Sequence, residues 1–220
     1  MFFHRKNYSS LCLLLLLVLV NSSALAINLS EGRHYARLPK NLAKQKVVDL
    51  FINDDSNKIQ IMQFFSYACA GCYLFEPKLQ SWLRKNEDKY NLVQVPVLFR
   101  KNWSILAKAY YASKEIGALD QSHGILFHSI HQNRVRINSD EELFSLLEKN
   151  VNMNHFKAAY YSAEINNKML HADKLTSSLQ VAFIPETIVK INKDFYMITA
   201  NLPKDVSIID VIEYLAAKNS

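Results

Sequence analysis

Cysteine is scarce in this chain, with three in 220 residues, and glycine, proline and tryptophan are few as well, at four, five and two. So little cysteine excludes a disulfide-stapled scaffold. With half of the residues apolar, a core can be held without staples. No internal repeat, linker or low-complexity stretch interrupts the chain, so one domain, or one carrying an insertion, fits its length. Charge of either sign is thin: Lys and Arg number 26 against 20 Asp and Glu. The resulting formal +6 is too diffuse to argue for a nucleic-acid partner.

Long apolar runs are also missing. The run LCLLLLLVLV at residues 11–20 is about half the roughly 20 residues a membrane-spanning helix needs. His4, Arg5 and Lys6 precede it, and small residues ending in Ala24-Leu25-Ala26 follow it, which is the pattern of a cleavable secretory signal. Residues 1–26 are therefore expected to be removed, leaving 27–220 as an exported protein. Loss of Arg5 and Lys6 lowers the formal charge from +6 to +4. Cys12 lies inside the apolar run rather than closing it, as a lipid-modified cysteine would, and is given no function.

What remains is one pair, Cys69 and Cys72, in FFSYACAGCYLFEP at residues 64–77. A structural zinc site needs four ligands. His123, His128 and His131 place only His128 and His131 on one helical face, among apolar residues, so they read as structural. A structural disulfide across two residues closes too small a loop to constrain the unfolded chain. A redox dithiol needs this close spacing, because the second thiol must reach a mixed disulfide formed at the first. In an exported chain the redox reading is preferred, and no metal or cofactor is expected.

The flanks place the pair. KIQIMQFFS at 58–66 is rich in β-formers and follows a turn-like NDDSN, so it reads as a buried central strand. From 70 to 84, Leu74, Phe75, Leu79, Trp82 and Leu83 recur at helical spacing. Cys69 thus falls at a helix N-terminus, where unpaired N–H groups and the helix dipole favour a thiolate. Cys69 is expected to attack and the more shielded Cys72 to resolve. Around this unit the pattern predicts an edge strand at 47–52 and a strand at 90–99, with Pro96 at a strand end or on an exposed edge. It also predicts helices at 104–116, 121–131, 140–149, 155–161 and 165–179, a hairpin at 186–199 and a last helix at 205–217. Ser139 with Glu142 is a capping-box signature. Phe64 and Phe65 read as core; Tyr67 and Tyr73 are expected at the surface. Glu76, one turn after Cys72, reads equally well as an electrostatic tuner or a solvated carboxylate.

The segment F-F-S-x-x-C-x-x-C-Y-x-F-E resembles the active-site segment of the DsbA family of periplasmic thiol–disulfide oxidoreductases, in the thioredoxin superfamily. EGRHYARLP at 31–39 is similar to that family's N-terminal motif, Pro77 to its helix-kinking proline, and Phe183-Ile184-Pro185 before ETIVKIN to its cis-proline loop. The resemblance covers nearly all of residues 27–220. It implies an α/β protein, a thioredoxin fold with a helical domain inserted at about 104–179. It implies a monomeric enzyme that introduces disulfides into exported proteins and is reoxidised by a quinone-linked membrane partner of the DsbB type. It also implies that Ile184 and Pro185 offer extended backbone beside Cys69. Two positions depart from the family pattern. Ala70-Gly71 stands where strong oxidants carry Pro-His, and Gln63 stands where a buried glutamate usually assists proton transfer. Competing readings are an isomerase or reductase, disfavoured because only about twenty residues separate the expected cleavage site from Val47, and a peptide-binding chaperone without turnover, disfavoured by retention of both cysteines.

Overall fold

A computed structural model describes residues 29–43, 46–51 and 57–219. The expected signal at 1–26 and nearly all of the NDDSN turn lie outside the described residues. In chain order the elements are β1 (Tyr35–Arg37), α1 (Lys40–Ala43), α2 (Lys46–Asp49), β2 (Ile59–Phe65), α3 (Ala70–Lys85), β3 (Tyr90–Pro96), α4 (Trp103–Glu115) and α5 (Leu119–His131). They continue with α6 (Asp140–Leu147), α7 (Met153–Tyr160), α8 (Ala163–Ser178), β4 (Glu186–Ile191), β5 (Asp194–Ile198) and α9 (Ile208–Lys218).

The strands form one sheet in the order β1-β5-β4-β2-β3. β2 and β3 run parallel; β4 pairs antiparallel with β2 and β5, and β1 with β5. Gln60 to Phe65 of β2 are all buried, as a central strand covered on both faces requires. Alternate β2 residues point to opposite faces. Met62 and Phe64 join Val95 and Ile188 in a cluster shared with the helices that follow β3. Ile61 joins Val189, Tyr196, Val211, Ile212 and Leu215 in a second cluster, flanked by Trp82 and Leu83 of α3. Helices α4 to α8 lie between β3 and β4 in the chain, giving a thioredoxin fold with an inserted helical block.

The helix ends follow local chemistry. Ser139 Oγ accepts from the Glu142 N–H at 3.2 Å, and Glu142 Oε2 accepts from the Ser139 N–H at 3.3 Å, completing the expected capping box. Ser139→Ala frees one amide at the start of α6 and should lower unfolding free energy by about 1 kcal/mol in a urea titration. An unchanged midpoint would mean that the cap contributes nothing to this helix.

The expected edge strand at 47–52 is corrected. Lys46–Asp49 is a short helix, with Ile52 outside the described residues. Val48 is fully buried there, and α2 packs against α8, so tertiary burial outweighs the β-propensity of Val47-Val48. The sheet edge beyond β5 is taken instead by β1, three residues from the segment that carries the N-terminal motif. Pro96 ends β3, where no ladder N–H is asked of it.

Candidate active site

β2 delivers the chain to Ser66, whose carbonyl accepts the Cys69 N–H at 3.0 Å. Cys69 is the N-cap of α3, with extended backbone (φ −92°, ψ 116°), and its Sγ accepts the Cys72 N–H at 3.1 Å. This is the cap position where a side-chain acceptor satisfies an otherwise orphaned helix amide. Cys69 is half-buried and Cys72 fully buried; both are free thiols. Ala70 and Gly71 are exposed.

On the other side of the sulfur, the Ile184–Pro185 peptide is cis and the Ile184 carbonyl oxygen lies 3.7 Å from Cys69 Sγ. A Cβ added at Gly71 would stand 3.1 Å from Pro185 Cδ and 3.9 Å from Cys69 Sγ. Ile184 and Gly71 therefore lie beside the Cys69 sulfur, with Ala70 next to Cys69 in the chain and Pro185 against Gly71. Leu74 and Phe183, 68% and 69% exposed, leave apolar surface on this flank.

The electrostatics separate the two sulfurs. Hydrogen bonding from the Cys72 thiol, aided by the N–H groups of Cys72 and Gly71 and opposed by burial, lowers the Cys69 pKa to about 7. The Cys72 pKa is raised by its hydrogen bond to Cys69, by burial and by the charges of Cys69 and Glu76. The proton thus belongs on Cys72 and the negative charge on Cys69. To the helix-end amides expected to favour the thiolate the structure adds the Cys72 side chain, which is the leading contributor.

A pH dependence follows. The Cys69 pKa in the folded protein lies below that of an unfolded thiol, about 8.5. The resulting stabilisation of the reduced protein is therefore complete above about pH 8.5 and is lost as pH falls through about 7. Thiolate absorbance of the reduced protein should titrate near pH 7, and a midpoint at or above 8.5 would contradict this electrostatic arrangement.

Beneath Cys72 lies a polar network that local sequence did not reveal. Glu76 is 7% exposed rather than solvated. Its carboxylate accepts from Gln80 at 2.7 Å and Gln94 at 2.8 Å, and it pairs with His123 Nε2 at 3.0 Å. The other nitrogen of His123 meets the Tyr67 hydroxyl at 2.7 Å. Gln63 is fully buried on β2, and its Oε1 accepts from Gln94 at 3.3 Å while its Nε2 has no protein partner. Gln63 is thus linked to Glu76 through Gln94. Tyr67 is 1% exposed, which corrects its expected surface position: its ring packs between Phe65, His123 and Phe127, and burial raises its pKa. Tyr73 is part-buried and stacks on His131 at 4.8 Å. The only advance signal was chemical: Glu76, Tyr67 and His123 are polar residues in otherwise apolar patterns.

A central strand leading to a helix capped by the first cysteine of C-x-x-C, faced by a proline loop entering β4, defines a dithiol protein of the thioredoxin superfamily. Comparison with known proteins narrows this. No family model matches the chain. The thiol:disulfide interchange protein DsbA of Azotobacter vinelandii is 26% identical over 185 residues, 84% of this chain and 81% of that protein. That of Pseudomonas aeruginosa is 28% identical over 162 residues, 73% and 76% of the two chains. A crystal structure of a variant of the P. aeruginosa protein superposes with a TM-score of 0.71 at 25% identity, covering 86% of this chain and 97% of that one. The oxidoreductase DsbA1 of Neisseria meningitidis shares the fold at a TM-score of 0.69 and 22% identity, over 86% and 93% of the two chains. The chain is thus similar, over most of its length, to proteins named thiol:disulfide interchange protein DsbA.

Proposed function

We propose that this protein is a thiol–disulfide oxidoreductase that introduces disulfides into exported polypeptides through Cys69 and Cys72. The observation that carries the reading is the division of charge and access between the two sulfurs: Cys69 is reachable and holds the anion, while Cys72 is enclosed and holds the proton.

In the oxidised protein a substrate thiolate attacks Cys69 Sγ, because Cys72 is shielded. A substrate–Cys69 S–S bond forms, the Cys69–Cys72 bond breaks, and its electron pair and a proton end on Cys72. A second substrate thiolate then attacks the substrate sulfur of the mixed disulfide, and Cys69 departs as a thiolate. A low-pKa thiol leaves faster and is more stable once released, which drives this second step. The substrate loses two electrons and the protein's dithiol gains them. Ile184 and Pro185 lie where an extended substrate segment runs beside Cys69.

Export by residues 1–26, a periplasmic location and reoxidation by a quinone-linked membrane oxidase of the DsbB type belong to the same proposal. They are supported by the signal pattern and the family. Among the described residues no helix is long and apolar enough to cross a membrane. Catalysed oxidation of a reduced peptide, together with a resting oxidised state trapped by alkylation in cells, tests the reading. A chain held reduced in cells would favour the reductase or isomerase alternative, and binding without thiol exchange the chaperone.

A further inference from the structure

Next to Ala68, the residue before Cys69, a cavity of about 380 Å³ opens between the loops that flank α4 and α5. Its lining begins at Ala68, next to the nucleophile, and includes Trp103, Leu106, Ile130, Ile137 and Arg136. Leu106 and Ile137 are buried and form an apolar floor. The segments that line it carry cations: Arg136 is in the lining, and Arg100, Lys101 and Arg134 stand within three residues of lining residues in the chain. Arg100, Lys101, Arg134 and Arg136 are all exposed, and Arg100 lies over the Trp103 ring at 5.8 Å.

No acid offsets them in sequence: residues 98–110 and 128–138 contain five Lys and Arg, with His128 and His131, and no Asp or Glu. Of the three carboxylates in the first turn of the adjoining α6, Glu141 is exposed and the other two are hydrogen-bonded. Glu142 accepts from the Asn138 and Ser139 N–H groups, and Asp140 from the Tyr160 and Tyr161 hydroxyls. Of the other basic residues, Lys108 is turned over the Tyr160 ring and His131 Nε2 is hydrogen-bonded to the Tyr67 backbone carbonyl. The loop that carries Arg134 and Arg136 is anchored. The Val135 N–H donates to the Ser129 carbonyl at 2.9 Å, and Gln132 Nε2 donates to the Tyr73 hydroxyl of α3 at 2.9 Å. The arginines are therefore presented on a fixed loop tied to the active-site helix.

The geometry points to a specificity surface for acidic segments: the rim formed by Arg100, Lys101, Arg134 and Arg136 receives extended polypeptide with Asp or Glu close to the reacting cysteine. This deepens the proposed function and rests on it for turnover, though not for binding. An apolar floor takes a side chain, and a cationic rim steers an oppositely charged partner and disfavours a like-charged one.

The test uses reduced dithiol peptides of one length, with acidic, neutral or basic residues flanking the cysteines, and the oxidised full chain. At low ionic strength the acidic peptide should be oxidised about tenfold faster than the basic one, the difference shrinking towards parity in 1 M salt. Arg134→Glu with Arg136→Glu should reverse the order while leaving the Cys69 titration in place. In parallel, fluorescent peptides with serine for cysteine report binding by anisotropy. If nothing is oxidised yet the acidic peptide still binds best, the surface stands and the oxidase reading falls. Equal rates and equal binding for all three peptides would overturn the inference. So would a preference that survives the charge reversal. Arginine-dependent binding to phosphatidylglycerol vesicles without any peptide preference would assign the charge to a membrane surface and also overturn it.

Discussion

Cys69→Ala should reduce peptide oxidation to the uncatalysed rate, whereas Cys72→Ala should retain the first exchange and accumulate mixed disulfides with its substrates. Removing an attacked atom abolishes the pathway, so a loss of three or more orders of magnitude is expected for Cys69→Ala. In Cys72→Ala the Cys69 thiol also loses its leading hydrogen-bond donor, so its pKa should rise from about 7 towards that of an ordinary thiol. The two variants thus differ in chemistry and in titration. Non-reducing gels with alkylation, and thiolate absorbance against pH, separate them. Mixed disulfides through Cys72 in a Cys69→Ala background would reverse the assignment.

The second large effect concerns the dipeptide between the cysteines. Gly71→His should lower the Cys69 pKa and make the protein a stronger oxidant. The added Cβ stands 3.9 Å from the sulfur, so an imidazole there brings a donor, or a charge when protonated, to the thiolate. One pKa unit corresponds to about 1.4 kcal/mol, or about 30 mV for a two-electron couple, so one to two units shift the potential upward by about 30–60 mV. The same Cβ stands 3.1 Å from Pro185 Cδ, so the proline ring must give by a few tenths of an ångström. Gly71→Ala makes that steric contact without the donor and serves as the control. A glutathione redox titration should find Gly71→Ala close to the parent and Gly71→His clearly more oxidising. Equal shifts in the two variants would assign the effect to crowding against Pro185 rather than to thiolate stabilisation.

The parts of this site legible in the sequence are those governed by local chemistry. The strand-to-helix junction at Ser66–Ala70 was readable because a run of β-formers gives way to helical spacing across the cysteines. The order of the sulfurs followed from the cap position. The capping box at Ser139 and Glu142, the strand Glu186–Ile191 and the end of β3 at Pro96 are local in the same sense.

What was missed depends on contacts across the chain. Glu76 meets Gln94 and His123, 18 and 47 positions away, and only the tertiary fold distinguishes that buried carboxylate from a solvated one. Tyr67 is buried because α5 covers it, and its nearest polar partner is 56 positions off. At Val47-Val48, packing on α8 overrode strand propensity. Gln63 likewise takes its place from contacts across the chain: its amide oxygen accepts from Gln94, which also donates to Glu76.

The central claim is that the Cys69–Cys72 pair takes two electrons from a substrate dithiol. It is tested most directly by mixing the oxidised protein with a reduced dithiol peptide in the absence of oxygen and following both by mass spectrometry. The peptide should lose two hydrogens as the protein's pair gains them, through a transient adduct that maps to Cys69. An unchanged peptide, or an adduct confined to Cys72, would contradict it.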